Sequence, residues 1–236
     1  NIIMKKFITF GAGGDNYIQA GERLIKQAKA LNLFDELKLF TDVNLKNDTV
    51  FWNQHSDFIT NNSRGYGYWL WKPYIVKKTM ETMKDGDILL YLDGGCEINV
   101  KKKNKLIDLF NIVKKDYIIG SPAQTEEKWN KMDLILELKM LDKKYMKTPQ
   151  RQAGTVLYLV CDKTRALVNE WYNLACNYHF IDDTPSINKN LPCFKEHRHD
   201  QSIYSLLTKK YNLYSNRRIT EAIECLYNRS GKSKLK

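Results

Sequence analysis

An uninterrupted apolar run, Ile88–Leu92, narrows the possible folds more than any other segment of this chain. A strand with one exposed face alternates apolar and polar residues, whereas a short apolar run without alternation is typical of a strand covered on both faces. We therefore expect Ile88–Leu92 to be a central strand of an α/β sheet. Asp93 follows the run and would lie in the crevice where open α/β sheets bind ligands, unless it merely caps a helix or forms a turn.

The segments around this run predict strands and helices in alternation. Further strands are expected over residues 7–10, 37–40, 117–120 and 155–160, and a loop is expected over 179–194. Helices are expected over 16–31, 74–83 (with Pro73 at its start), 105–113, 133–141, 163–178 and 200–211. Because there is no repeat and no break in composition, we expect residues 1–236 to form a single α/β domain.

Composition excludes several classes of protein. At 43% hydrophobic residues, the 236-residue chain can bury a core and is not intrinsically disordered as a whole. No apolar run approaches the roughly 18 residues of a membrane span, and the first residues do not resemble a signal peptide. The five cysteines include no CxxC pair, which argues against zinc fingers and a disulfide scaffold. We expect a cytoplasmic location, in the host cytoplasm if the chain is viral.

The charge is strongly basic, with 38 Lys and Arg against 27 Asp and Glu. Such a surface attracts nucleic acids, but only eight of the 38 are Arg, the side chain on which base readout depends most. We therefore expect no nucleic-acid partner. An anionic small molecule agrees equally well with a basic surface.

A glycine-rich turn, Gly11–Gly14, follows the first expected strand. It begins like the dinucleotide fingerprint GxGxxG, but Asn16 stands where the last glycine is required. Two interpretations remain: a flexible turn, or a nucleotide site of another type in which Asp15-Asn16-Tyr17 contacts the base.

The densest polar cluster is Glu196–Gln201. Asp200 is a candidate N-cap of the following helix, and the two histidines of this cluster, His197 and His199, have a spacing that lets both reach one metal ion. The other ligands of a zinc site are not visible. Asp182-Asp183, in the preceding loop, are either acid/base or acceptor-binding groups or turn formers.

An aromatic and glycine-rich segment extends from Arg64 to Pro73. Core packing explains some of its rings. Arg64 and Lys72 flank the expected start of a helix, where two cations would form a suitable cradle for phosphate.

Taken in chain order, four motifs resemble the GT-A class of nucleotide-sugar-dependent glycosyltransferases, especially the glycogenin and bacterial lipooligosaccharide galactosyltransferase type. Asp15-Asn16-Tyr17 resembles the family's Asp-Asn-Tyr turn, and Leu90-Tyr91-Leu92-Asp93-Gly94-Gly95 matches its Leu-Tyr-Leu-Asp-x-Asp strand except at the last residue. Gln152-Ala153-Gly154 resembles an Asn-Ala-Gly strand opening, and Asp200-Gln201 an Asp-Gln helix start. Residues 64–99 and 198–207 are also similar to small uncharacterised glycosyltransferases of bacteria and large DNA viruses.

The resemblance implies a GT-A fold: an α/β, Rossmann-like domain with a mixed, mostly parallel central sheet flanked by helices. It also implies transfer of a hexose from a UDP-sugar donor to a hydroxyl acceptor, such as a glycan or a protein-linked sugar. The implied nucleotide-binding residues are Thr9, Gly11, Asp15, Asn16, Tyr17, Asp42, Arg64, Lys72 and Lys232. The donor sugar would contact Gln152, Ala153, Gly154 and Asp200; the catalytic residues would be Asp93, Asp200 and Gln201; and the acceptor would contact Asp182, Asp183 and His199.

The resemblance further implies Mn²⁺ or Mg²⁺, held at positions 93, 95 and 228. The sequence departs from the family at two of them, since Gly95 replaces the second aspartate and Asn228 stands roughly where the family has a histidine. A metal would then bind more weakly, recruit His199 or Glu97, or be replaced by Lys and Arg side chains.

Two other classes stay open. A Rossmann-type oxidoreductase would share the opening strand, helix and strand, but it would need a glycine at position 16. A non-catalytic binding protein for nucleic acid or an acidic glycan would use the basic surface, with a steep dependence on salt.

Overall fold

A five-stranded mixed sheet forms the centre of the molecule, and the computed structural model describes residues 2–236. The strands are β1 (Lys5–Gly11), β2 (Glu36–Thr41), β3 (Ile88–Leu92), β4 (Cys96–Ile98), β5 (Ile118–Ile119), β6 (Pro122–Thr125), β7 (Pro149–Arg151), β8 (Thr155–Leu159) and β9 (Ile223–Cys225). In the central sheet the order is β2-β1-β3-β8-β5. β1 is parallel to β2 and β3, while β8 is antiparallel to both of its neighbours, so the expected mixed, mostly parallel sheet is confirmed.

Helices cover both faces of this sheet. They are α1 (Asp15–Leu31), α2 (Asp42–Asn47), α3 (Thr49–Asn61), α4 (Gly65–Tyr68), α5 (Trp71–Glu81), α6 (Lys103–Asp116), α7 (Met132–Glu137), α8 (Lys143–Met146), α9 (Asp162–Ala175) and α10 (Asp200–Lys210). Apolar residues of α1 and α6 pack on one face, and those of α3, α5, α9 and α10 pack on the other. No helix of residues 2–236 has both the length and the apolar character that a bilayer crossing requires.

The central position of β3 follows from its composition. All five of its side chains are fully buried. Leu89 and Tyr91 join the core on the side of α5 and α9, whereas Ile88, Leu90 and Leu92 join the core on the side of α1 and α6. Each such side chain contributes about 1.5–3 kcal/mol by leaving water. The expectation of a strand covered on both faces is confirmed.

The strand order also creates a crevice at one edge of the sheet. From β1 the chain passes through α1 to β2 on one side, and it later returns as β3 on the other side of β1. The carboxyl ends of β1 and β3 therefore flank a topological switch point, which is where open α/β sheets bind ligands. Asp93 lies directly after β3, at this point.

Several elements differ from the expectation. Helix α3 and the paired strands β4 and β9 were not predicted, and α7 ends at Glu137 rather than residue 141, with a left-handed Lys139 two residues later. α5 begins at Trp71, two residues before Pro73. β4 and β9 have three residues each, and more than 120 residues of chain separate them. No local sequence pattern therefore predicts these two strands.

The aromatic segment before α5 folds in an unusual way. Its one-turn helix, α4, is left-handed, because every residue from Gly65 to Trp69 has a positive φ. The left-handed region costs a non-glycine residue about 1–2 kcal/mol, and strain of this kind is found at functional sites. Backbone hydrogen bonds hold the turn, including Tyr68 N–H to the Arg64 carbonyl at 2.8 Å and Gly67 N–H to the Asn62 carbonyl at 2.9 Å.

We predict that Gly67→Ala destabilises the protein more than Gly86→Ala. Both glycines have a positive φ, of 86° and 95°, so alanine strains the backbone similarly at either position, by about 1–2 kcal/mol. A Cβ at position 67 would lie 2.7 Å from Cγ1 of Ile59, whereas at position 86 it would meet nothing within 4 Å. Overpacking adds about 1–3 kcal/mol. The free energy of unfolding in urea measures the difference, and equal losses would contradict this account.

Candidate active site

A cavity of about 590 Å³ occupies the crevice at the switch point. Its walls include Phe10 and Gly11 at the end of β1, Asp93 and Gly94 after β3, and the left-handed turn. This volume lies within the range of small-molecule sites in proteins. Stacking of Phe10 on Trp71, with ring centroids 3.7 Å apart, holds the first residue of α5 against the end of β1, and Trp71 Nε1 donates to the Gly65 carbonyl of the turn at 3.0 Å.

Behind the cavity wall, one buried ammonium lies between two carboxylates. Lys72 Nζ is 2.8 Å from Asp200 Oδ2 and 3.4 Å from Asp93 Oδ1. Lys72 comes from the first turn of α5, Asp200 is the first residue of α10, and Asp93 follows β3. These three residues, which we call the ion triad, thus join three separate segments. Asp200 is therefore not the N-cap of α10: the cap position is His199, and the Asp200 side chain pairs with Lys72.

Burial and charge set the protonation of the ion triad. Burial raises the pKa of Asp200 to about 6, although the attraction of Lys72 opposes this shift. Burial alone would lower the pKa of Lys72, but the two carboxylates outweigh it and the pKa is raised. At neutral pH Asp200 is therefore a carboxylate and Lys72 an ammonium. Leaving either charge without its partner would be costly in this buried place.

The carboxylate of Asp93 faces the cavity. It accepts a hydrogen bond from the Tyr91 hydroxyl at 2.6 Å, and the Asp93 backbone N–H donates to the Gly154 carbonyl at 2.7 Å. A Cβ at position 154 would lie only 2.2 Å from Asp93 Oδ2. Gly154 thus leaves the space that this carboxylate occupies, and β8 brings the fully buried Ala153 beside it.

Gln201 is tied into a network of buried amides and carboxylates. Its Oε1 accepts from the Ala153 N–H at 3.2 Å, and its Nε2 donates to Gln150 Oε1 at 2.8 Å. Gln150 in turn donates to Glu126 Oε1 at 2.9 Å. Gln152, by contrast, donates to the Pro122 carbonyl and is not part of the cavity wall.

Three of the residues expected at an acceptor or phosphate site form a second polar group beside the left-handed turn. Asp183 accepts from Arg64 at 2.9 Å and from His199 Nε2 at 2.8 Å. Burial lowers the pKa of His199, so the ring is neutral at pH 7 and donates through Nε2, because the carboxylate can only accept. Arg64 also bonds Glu196. Asp182 instead accepts from Thr184 and lies 3.3 Å from Lys131 Nζ.

The side chains of His197 and His199 are not arranged to bind one metal ion, because both ring nitrogens of His197 are already bonded within the protein. His197 is buried, with Nδ1 accepting from the Lys131 N–H and Nε2 donating to the Phe180 carbonyl. Burial lowers its pKa to about 3. Both of its ring nitrogens are thus used, and His197 supports the loop rather than a ligand.

Only some of the residues expected to bind the nucleotide lie in the cavity wall. Gly11, Tyr17 and Arg64 form part of the cavity wall. Thr9 is fully buried and its hydroxyl donates to the Leu92 carbonyl, so it joins β1 to the end of β3 and offers no surface to a ligand. The others lie outside the wall and are Asp15, Asn16, Asp42, Lys72 and Lys232, of which Lys72 belongs to the ion triad and Asp42 pairs with Lys46.

The C-terminal segment, residues 226–234, closes one side of the cavity, because Tyr227 and Arg229 form part of its wall. Buried Arg23 holds this segment by donating to the carbonyls of Asn228 and Ser230, and also to those of Gly94 and Cys96.

Glu97, like Arg23, holds the C-terminal segment in place. It is fully buried and accepts four hydrogen bonds, from Gln27, Asn228, Ser233 and the Lys234 N–H. Burial would raise its pKa, but these bonds hold the pKa at about 2.

The residues implied for a divalent cation do not fit one. Gly95 has no side chain to offer a cation, and a Cβ at this position would lie 3.0 Å from the Tyr227 Cα, so a carboxylate there would require the backbone of Tyr227 to shift. Asn228 is fully buried, with its Oδ1 accepting from Ser230 and its Nδ2 bonded to Glu97. Asp93 is the one carboxylate of the three, and an ammonium already lies beside it. Within residues 2–236, no group of three or more His, Cys, Asp or Glu side chains could hold a metal ion.

Sequence reasoning missed some of the residues at this site. The sequence places Tyr91 in the central strand and in the Leu-Tyr-Leu-Asp motif without a role at the site, and it indicates no role for Tyr227 and Arg229, which flank Asn228. Their role depends on β9 pairing with β4, which brings the end of the chain to the crevice. The pairing of Lys72 with Asp200 was also not anticipated, although both residues were singled out.

We predict that Glu97→Gln loosens the C-terminal segment. The four donors now share the two oxygens of the Glu97 carboxylate, whereas a glutamine amide has only one acceptor oxygen. Some buried donors would therefore lose their hydrogen bonds, and each such loss lowers the free energy of unfolding by about 1–3 kcal/mol. Glu224→Gln is the matched control, because Glu224 pairs with Glu97 across β4 and β9 but bonds the partly exposed Lys102. Unfolding in urea and amide hydrogen exchange over residues 226–234 measure the effect. Equal exchange in the two variants would show that Glu97 does not hold this segment.

Comparison with known proteins finds similar folds among solved structures. No protein-family model matches the sequence, and no curated protein matches it. The fold is similar to that of mouse xyloside xylosyltransferase 1 in its apo form, with 10% identity over 90% of this chain and 84% of that one and a TM-score of 0.46. It is also similar to the galactosyltransferase LgtC in complex with donor and acceptor sugar analogs, with 17% identity over 88% of this chain and 72% of that one and a TM-score of 0.46.

Proposed function

We propose that this protein is a glycosyltransferase that moves a hexose from a UDP-sugar to a hydroxyl acceptor, acting as a single domain over residues 1–236. The observation that carries the proposal is the ion triad at the wall of a nucleotide-sized cavity, at the carboxyl end of the central strand. Buried charge is costly, so a triad with one carboxylate facing a cavity is a functional-site candidate.

The nucleotide would occupy the side of the cavity next to α1. Tyr17 and Tyr227 are 37% and 76% exposed, so both offer a ring face for a base. The backbone N–H groups at the start of the 17-residue α1 favour an anion such as a diphosphate. Arg229, 5.9 Å from the centre of the Tyr17 ring, adds a positive charge there. Lys232, Asp15 and Asn16 would contact the nucleotide only after movement of side chains toward the cavity.

The sugar would lie against Asp93. Its carboxylate accepts hydrogen bonds, which suits the hydroxyl groups of a hexose, and Gly154 leaves room for it. Asp200 would act through Lys72, which holds the Asp93 carboxylate in place, and Gln201 would position the Ala153-Gly154 backbone. In the reaction the acceptor hydroxyl oxygen bonds to the anomeric carbon and releases its proton to water, the bond from that carbon to the phosphate oxygen breaks, and UDP leaves.

Positive groups of the chain would stabilise the departing diphosphate. Arg229 and the amino end of α1 face the place where its charge develops, and fixed charges of this kind lower the barrier without reorganising. We assign no step to Mn²⁺ or Mg²⁺, because Gly95 and Asn228 cannot serve as ligands as they stand.

The acceptor would approach past the left-handed turn. Asp183, bonded to the neutral His199, is a suitable partner for an incoming hydroxyl group. Asp182 lies beside it in sequence but bonds Lys131 and Thr184, so it would shape the loop that surrounds the acceptor.

We predict that UDP binds with a Kd on the order of micromolar and that Mn²⁺, Mg²⁺ and EDTA leave this Kd unchanged within about twofold. Isothermal titration calorimetry measures it, with GDP and NAD as controls. Tighter binding of NAD would identify an oxidoreductase. A tenfold lower Kd for UDP in the presence of Mn²⁺ would support a UDP-sugar donor. It would contradict the conclusion that the residues at positions 93, 95 and 228 do not fit a divalent cation.

We predict that Asp93→Asn lowers the rate of UDP release from UDP-sugars by at least about 100-fold without unfolding the protein, because a carboxylate that acts on the reacting sugar is lost. Release is measured against a panel of UDP-hexoses, with water as the acceptor. Asp162→Asn is the control, since this carboxylate is 95% exposed at the start of α9. If Asp93→Asn retained the full rate, the role given to Asp93 would be wrong.

A further inference from the structure

A second cavity, of about 430 Å³, lies on another part of the surface. It shares no wall residue with the first cavity. Lys209 in its wall is nine residues along α10 from Asp200, which is about 14 Å along the helix axis. The two cavities are therefore separate, and one ligand of ordinary size does not explain both.

The wall of this second cavity is strongly basic. It contains five cationic side chains and no acidic one. The five are Lys144, Arg151, Lys209, Arg217 and Arg218. Two of them are already neutralised, because Lys209 pairs with buried Glu126 at 2.8 Å and Arg217 pairs with Glu221.

The remaining three cations, Lys144, Arg151 and Arg218, form no ion pair at 4.0 Å or less with any of the residues that the structure describes. A basic protein has many unpaired surface lysines, so Lys144 and Arg218 alone would mean little.

Arg151 is different, because it is half-buried on β7. Its guanidinium lies over the Tyr214 ring at 3.9 Å and donates to the Thr208 hydroxyl at 3.0 Å. Burial lowers the pKa of Arg151, and the attraction of Glu126, which is too far away to form an ion pair, offsets this shift only in part. Buried charges in proteins are generally paired, so an unpaired one in a cavity wall points to a counter-charge from outside.

We propose that the second cavity binds a phosphate-bearing small molecule, whose phosphate groups are recognised by Lys144, Arg151 and Arg218. Arginine forms paired hydrogen bonds to phosphate oxygens, and lysine supplies a compact charge. The wall has no acidic group to repel such an anion, and its volume exceeds what a single phosphate fills. The proposal does not depend on the identity of the donor in the first cavity.

The test uses inorganic pyrophosphate as the probe, titrated into the full chain by calorimetry in the presence of saturating UDP. We expect binding with a Kd below about 1 mM. The double variant Lys144→Gln/Arg218→Gln should weaken it by about tenfold or more, since two of the three recognising charges are lost. Both residues are exposed, so the variant should fold.

The matched control is Lys26→Gln/Lys29→Gln, which removes the same charge from exposed positions of α1. It should leave pyrophosphate binding unchanged. Equal weakening in both double variants would show only general attraction to a basic surface, and absence of binding to the unmodified protein would also overturn the proposal. If UDP failed to bind, the same comparison of the two double variants without UDP would still test the second cavity, because none of the four substituted residues lies in the wall of the first cavity.

Discussion

The ammonium of Lys72 organises the site, because it joins three parts of the chain that are far apart in sequence. It lies within 3.4 Å of carboxylates that follow β3 and begin α10, while its own helix begins directly after the left-handed turn. A charge buried so deeply needs a partner, which the similarly buried Asp200 provides, whereas the Asp93 side chain is 43% exposed and adds to the attraction. The end of β3, the start of α5 and the start of α10 are therefore held in one arrangement, and the wall of the cavity is built upon it.

A second set of buried polar groups brings the end of the chain into the same site. Arg23 donates to four backbone carbonyls, and Glu97 accepts from four donors, three of them in the segment from Asn228 to Lys234. Such networks require partners for nearly all of their buried groups, and here Arg23 Nε is the one without a hydrogen bond. This requirement explains why Asn228, which the resemblance suggested as a metal ligand, is instead an internal support. Gly95 packs tightly against the same segment, because a Cβ at this position would lie 3.0 Å from the Tyr227 Cα.

Prediction from sequence succeeded where the signal was local. The apolar run of β3, the strand, glycine turn and helix that open the chain, and the helix that begins at Asp200 all follow from neighbouring residues. It failed where an element depends on distant contacts. β4 and β9 are too short to carry a pattern, and the left-handed turn runs against the backbone preference of Tyr66, Tyr68 and Trp69. Only packing against other parts of the molecule selects these conformations.

The sequence by itself determined the class of fold, the central strand and the place of Asp93 at its end, because apolar periodicity and turn residues act over a few positions. It also singled out Lys72, Asp200, Gly154 and Gln201, but as separate residues. The tertiary structure decided that Lys72 pairs with both carboxylates, that Thr9 is internal, and that Gly95 and Asn228 are unavailable to a cation. The physical reason is that these facts depend on distances between residues far apart in the chain. Burial and the pairing of charges set those distances only when the whole core has formed.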